Sequence, residues 1–269
     1  MKTWPALEIS GIDSDFLLAD LDDFSPTAVE ESGGLTRIFF SSAESRDQAF
    51  SRLSATHISV SAVDVPDEDW ARRSQENLTP IIVGRIVVAP PWNVPSPTAG
   101  QLPPVVIQPS MGFGTGHHAT TRLCLAALQS IDLNGAEVLD IGTGSGVLAI
   151  AARALGARGA RGIDNDPDAI QSAQENLELN PGITSVTFAL ADLSAGIGNA
   201  VADVVTANLT GALLARAAGV LAGAARPGGT IVVSGLMAHE RAAVEAAFTH
   251  VELIKAWQED EWAALAFRR

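Results

Sequence analysis

The sequence predicts an α/β chain: an open, Rossmann-like seven-stranded sheet ending in an antiparallel hairpin, preceded by a small ferredoxin-like α+β domain. Three observations carry this. From Val105 onward, short apolar runs alternate with helical stretches, the order expected of a parallel sheet with crossover helices. The last two apolar runs, Val251 to Trp257 and Trp262 to Arg268, lie too close together for a crossover helix, so they pair antiparallel. Residues 1–65 instead follow the order βαββαβ.

In the first domain, Trp4 to Ile9 reads as a strand and Ser14 to Leu21 as a short helix. Thr27 to Glu31 and Leu35 to Phe40 are strands joined at the hairpin signal Gly33-Gly34. Arg46 to Leu53 is helical, and His57 to Val65 alternates like a final strand. Residues 66–104 form a linker with a short helix, Asp67 to Asn77, and a small hairpin, Ile81 to Ala89 around Gly84. Pro90 to Pro104 is rich in Pro, Ser and Gly, so the linker is expected to act as a semi-rigid spacer. In the third domain, residues 105–269, the strands are Glu137 to Ile141, Gly159 to Asp164, Val186 to Leu190, Val201 to Asn208 and Thr230 to Gly235, then the terminal pair. Helices fall at Thr120 to Gln129, Val147 to Leu155, Pro167 to Leu179, Gly211 to Gly223 and Ala238 to Phe248.

Composition sets outer limits. With 269 residues, 47% apolar and 18% charged, the chain has room for a substantial core and carries no disordered bias. A formal charge of -14 argues against nonspecific nucleic-acid binding, which needs a basic footprint, and fits either a soluble protein or one that attracts a basic partner. The single cysteine, Cys124, excludes an intrachain disulfide and sits in the apolar stretch Leu123 to Leu128 as a buried structural thiol. No apolar run reaches the length of a membrane span, so no membrane binding and cytoplasmic residence are the default expectations.

Asp140-Ile141-Gly142-Thr143-Gly144-Ser145-Gly146 joins a strand end directly to a helix. Glycines there let the backbone approach a ligand, and Asp164, one strand over, is positioned for ribose hydroxyls: a nucleotide-type cofactor site. A dinucleotide fingerprint reads G-x-G-x-x-G. Here the order is D-x-G-x-G-x-G, with an acid at the strand end. S-adenosylmethionine has no phosphate but carries an ammonium and a sulfonium, so carboxylates near the loop make electrostatic sense and the pattern leans to methyl transfer. A glycine-rich turn made only for tight packing is the competing reading. Asp166, before Pro167, reads as the N-cap of the next helix.

Gly112 to Thr121 is the second informative segment. Its alternating glycines suggest a flap whose hydroxyls and amides close on a ligand, or a plain loop with Thr120 as helix cap. His117 and His118 lack a nearby acid or cysteine to complete a ligand set, so no metal is expected. Asn208, just past an apolar run, offers an amide to a substrate amine or to the cofactor. The tryptophans are assigned to core or interdomain contacts, with Trp92 steadying the proline-rich linker.

The chain resembles the ribosomal protein L-11 methyltransferases of the PrmA type, within the class I S-adenosylmethionine-dependent methyltransferases. The resemblance rests on Asp67 to Ala71, the Pro80 to Trp92 hairpin, the Gly112 to Thr121 flap, the Asp140 loop, Gly162-Ile163-Asp164, Ala207-Asn208-Leu209 and Ser234-Gly235-Leu236. It implies that Thr121, Gly142, Asp164 and Asn208 contact S-adenosylmethionine. To these the loop reading adds Asp140, Gly144 and Gly146, and Asn208 is assigned the catalytic role of orienting the amine or cofactor. The resemblance also implies large-subunit ribosomal protein L-11 as substrate, with lysine side chains or the amino terminus methylated and the small N-terminal domain capturing the protein. Family members usually carry Thr and Pro where this chain has His117 and Ala119, and Ala at Gly112, which bears on flap closure. The same fold acting on another protein, or a dinucleotide-dependent oxidoreductase, are the alternatives. The acidic residues Asp13, Asp15, Asp20, Asp22, Asp23, Glu30 and Glu31 either attract a basic protein or form a solvated face.

Overall fold

The computed structural model describes residues 3–10, 21, 24, 26–32, 35–54, 58–66, 78–109, 118–193 and 201–269. The chain divides into two compact units, Met1–Asn77 and Leu78–Arg269.

The first unit contains β1 (Thr3–Ser10), β2 (Pro26–Ser32), β3 (Leu35–Phe40), α1 (Ala43–Ser54) and β4 (Val60–Pro66). Its antiparallel sheet has the order β2-β3-β1-β4, the split βαβ arrangement expected of a ferredoxin-like unit. Alternation in β1 and β3 sends Leu7, Ile9, Ile38 and Phe40 to one face, where α1 buries Ala49 and Leu53 against them and Leu21 joins the cluster. Ala6, Phe39 and Val65 form a smaller cluster on the other face. The expected helix at Ser14 to Leu21, the turn at Gly33-Gly34 and the helix at Asp67 to Asn77 lie outside the described residues, Leu21 apart.

The second unit begins with β5 (Ile81–Val83), β6 (Ile86–Ala89) and β7 (Val105–Val106), a three-stranded sheet in which β6 pairs antiparallel to β5 and parallel to β7. It continues with α2 (Ala119–Gln129), β8 (Glu137–Ile141), α3 (Val147–Ala154), β9 (Gly159–Asp164), α4 (Pro167–Glu178) and β10 (Val186–Leu190). It ends with β11 (Ala202–Asn208), α5 (Gly211–Ala224), β12 (Ala225–Met237), α6 (Arg241–Ala247), β13 (Glu252–Glu259) and β14 (Trp262–Arg268). The seven-stranded sheet runs β10-β9-β8-β11-β12-β14-β13, with β14 antiparallel to both of its neighbours, as the short final connection requires.

Both faces of this sheet are covered, and consecutive residues show it. Val138, Val204 and Val232 pack with α2 and α3, whereas Leu139, Val205 and Val233 pack with α5 and α6. The hairpin β5–β6 differs from the spacer expected of it. Ile86 and Val88 are buried in the same cluster as Leu125 and Leu128 of α2, and the Gln129 amide donates to Val83 O at 2.8 Å and accepts from Arg85 N–H at 2.8 Å. Apolar burial of residues 86–89 thus ties the hairpin to the second unit's core. The division between units falls after Asn77 rather than after Val65.

Candidate active site

The strand order turns back between β8 and β11, so connections leave the sheet in opposite directions there and a crevice opens at the carboxyl ends of these strands. A cleft of ≈ 1010 Å³ occupies that position. Gly142, Gly144 and Ser145 from the β8–α3 loop line it, with Asp164 from the end of β9 and Asn208 from the end of β11.

The loop takes its shape from backbone bonds that only glycines permit. Gly142 and Thr143 both donate to the Ile163 carbonyl, at 2.9 and 3.0 Å, and φ is +71° at Gly142, +51° at Gly144 and +81° at Gly146. A Cβ on Gly142 would collide with the Leu209 side chain, and one on Gly235 with the Leu209 carbonyl. The chain after Asn208 is therefore wedged between two glycines. Asp164 is held by two backbone amides: Gly144 N–H donates to Oδ2 at 2.9 Å and Asp166 N–H to Oδ1 at 3.1 Å. Asp166 caps α4 by accepting from Asp168 N–H at 2.9 Å, with Pro167 at the first helical position, as the sequence predicts.

Of the residues expected to contact cofactor, Gly142, Gly144, Asp164 and Asn208 line the cleft, and Thr121, Asp140 and Gly146 do not. Asp140 is 1% exposed, because the pleat turns it to the same face as Val138, beneath the loop. The Thr143 hydroxyl donates to its Oδ2 and the Thr206 hydroxyl to its Oδ1, both at 2.6 Å. Burial pushes its carboxyl up to about 6, against the pull of the two hydroxyls and with a further push from Asp164. Gly146 is the N-cap of α3, and a Cβ there would come within 2.8 Å of the Phe188 ring. Thr121 is buried in the first turn of α2, with its hydroxyl 3.5 Å from Asn208 Nδ2, so it stands behind the amide rather than on the wall.

Sequence reasoning missed a wall of the cleft made by His118 and Trp262. His118, not Thr120, is the N-cap of α2; its Nδ1 lies 2.8 Å from the Thr120 hydroxyl, and its ring meets Trp262 edge-on at 4.6 Å between centroids. No sequence spacing links positions so far apart. Asp192 was visible by the pattern that found Asp164, an acid just past a strand end, and it too lines the cleft. Gly112 and His117 lie outside the described residues. Among the described residues no cluster of three or more His, Cys, Asp or Glu side chains could hold a metal ion.

The acceptors that border the cleft fit an organic cation that carries a ribose. Asp164, Asp166, Asp168 and Asp192 border the cleft, and the Asp164 oxygens are fixed by backbone amides where a vicinal diol can donate to them. A two-faced sheet of this order with its terminal hairpin, glycine loop and strand-end carboxylate defines a class I S-adenosylmethionine-dependent methyltransferase. Residues 30–269 match the family described as ribosomal protein L11 methyltransferase (PrmA), and the chain belongs to that family. A protein of that name from Geobacter metallireducens is 35% identical over 97% of this chain and 91% of its own length. One from Deinococcus radiodurans is 36% identical over 90% of each. A crystal structure of ribosomal protein L11 methylase from Lactobacillus delbrueckii subsp. bulgaricus superposes with a TM-score of 0.66 at 26% identity, covering 71% of this chain and 99% of the other.

Proposed function

We propose that this enzyme methylates amines of the large-subunit ribosomal protein L11, at lysine side chains or the amino terminus. The observation that carries the reading is the juxtaposition in one cleft of the amide-held Asp164 and the half-buried Asn208, at the ends of the strands that flank β8, in a chain of this family. In this reading Gly142, Gly144 and Asp164 hold the cofactor. Asp140 acts from below, through Thr143, and Gly146 by fixing the start of α3. Thr121 supports Asn208, whose carboxamide orients the incoming amine.

S-adenosylmethionine, when bound, supplies a methyl group already activated on a sulfonium. What remains for the protein is alignment and exclusion of water. A lysine amine near pKa ~10.4 must shed its proton before it can attack, and a cleft walled by Trp262 and Leu209 favours the neutral form by desolvation. The carboxamide oxygen of Asn208 accepts one hydrogen of that amine and so directs its lone pair. No single side chain is an indispensable general base. The N-terminal unit captures the protein substrate.

Incubating ribosomal proteins with the enzyme and methyl-labelled S-adenosylmethionine, then locating label by mass spectrometry, tests the assignment. Label on L11 amines is the expected result. Label confined to another protein would favour a lysine methyltransferase of different specificity, and label nowhere would remove the reading.

A further inference from the structure

Two buried asparagines stand one turn apart, Asn176 in α4 and Asn180 just past its end, 0% and 5% exposed, and both are tied to chain outside that helix. Asn180 closes a two-way bond with Val106 of β7, accepting from its N–H at 2.8 Å and donating to its carbonyl at 2.7 Å. It also donates to Asn176 O at 2.7 Å. Asn176 reaches two segments at once. Its Oδ1 accepts from Gln108 N–H at 2.7 Å and its Nδ2 donates to the Ser145 carbonyl at 2.9 Å.

Ser145 is part of the glycine loop and lines the cleft. Other restraints on the loop run from Gly142 and Thr143 to Ile163 O, from Thr143 to Asp140, from Gly144 to Asp164 and from Gly146 N–H to Thr143 O. Asn176 thus restrains the last residue of the loop that faces the cleft, and it does so with a donor and an acceptor both spent, in a site closed to water. A helix interior does not favour asparagine, so its presence there costs helix stability that these contacts must offset.

We propose that Asn176 is a positioning residue for cofactor binding: it fixes the Ser145 end of the glycine loop against the chain at Gln108, so cofactor affinity depends on it although it does not line the cleft. The proposal rests on the cleft being the S-adenosylmethionine site. Asn180 is the internal comparison, because it makes the same kind of buried amide bonds but none to the loop.

The test is calorimetric binding of S-adenosylhomocysteine and S-adenosylmethionine to the parent, Asn176→Leu and Asn180→Leu, well below all three melting temperatures. Leucine keeps the branching and heavy-atom count of asparagine, though it is bulkier, and removes its bonds. Both variants should melt earlier than the parent, but only Asn176→Leu should bind about tenfold more weakly, the effect of one buried carbonyl left unpaired. With saturating protein substrate, its KM for the cofactor should rise while kcat holds within about threefold. Should Asn176→Leu fail to fold, Asn176→Asp serves instead: it keeps the acceptor for Gln108 N–H and loses the donor to Ser145. Weakening of neither ligand by the Asn176 variant, or equal weakening by Asn180→Leu, overturns the proposal. A parent that binds neither ligand overturns the cofactor reading, and the proposal falls with it.

Discussion

Asp140 illustrates how much one residue's role depends on which way it faces. Its position at the head of the glycine loop is plain in the sequence, but the pleat puts the carboxyl under the loop, bonded to Thr143 and Thr206. The native carboxyl holds its proton to about pH 6, whereas the unfolded one loses it near 3.8. Between those values the native state binds more protons, so this group's contribution is fully present below the lower value. It is lost as pH rises through the upper one, by about 3 kcal/mol. Denaturant titrations from pH 4 to 7.5 should show that decline in the parent and its flattening in Asp140→Asn. At Gly235, φ of +88° and the Leu209 carbonyl leave no place for a methyl group, so Gly235→Ala should cost roughly 2–4 kcal/mol of stability, measured the same way. Asn208→Ala should lower kcat about a hundredfold while changing cofactor affinity little. A variant elsewhere that abolished turnover with affinity intact would reveal a general base.

At the scale of elements, Ile81–Val83 and Ile86–Ala89 are legible in the sequence as a hairpin, but not as part of the second unit. Its pattern is local, and the proline-rich stretch beside it has the composition of a linker. What it packs against is not local: Ile86 shares a buried cluster with Leu125 and Leu128 of α2, some forty positions away in the chain. Ile86→Ala should therefore cost about 2–5 kcal/mol in the unfolding of the second unit, and Ile82→Ala, at a side chain 63% exposed, close to nothing. Equal effects would return the hairpin to the linker. The terminal strands fared better, because a connection of two residues, Asp260 and Glu261, admits only an antiparallel pair.

Across the whole molecule, the excess of 31 acidic over 17 basic residues bears on substrate capture. Neutralising Asp13, Asp15, Asp20, Asp22, Asp23 and Glu31 should slow methylation of a basic protein several-fold at low ionic strength and leave cofactor affinity alone, and an unchanged rate would remove the steering idea. Glu30 is left out of that set because Arg37 already bonds it at 3.1 Å. Legible in the sequence alone were the order and type of the elements in the seven-stranded sheet, the terminal hairpin, the cofactor class and four positions on the cleft wall. Each is written in near neighbours along the chain: alternation, glycine spacing, an acid at a strand end, a connection too short for a helix. Tertiary contacts alone show that Asp140 faces inward, that His118 meets Trp262, and that Asn176 ties the loop to Gln108. Those facts depend on which strand lies beside which and which face is covered, and burial across long sequence separations decides both.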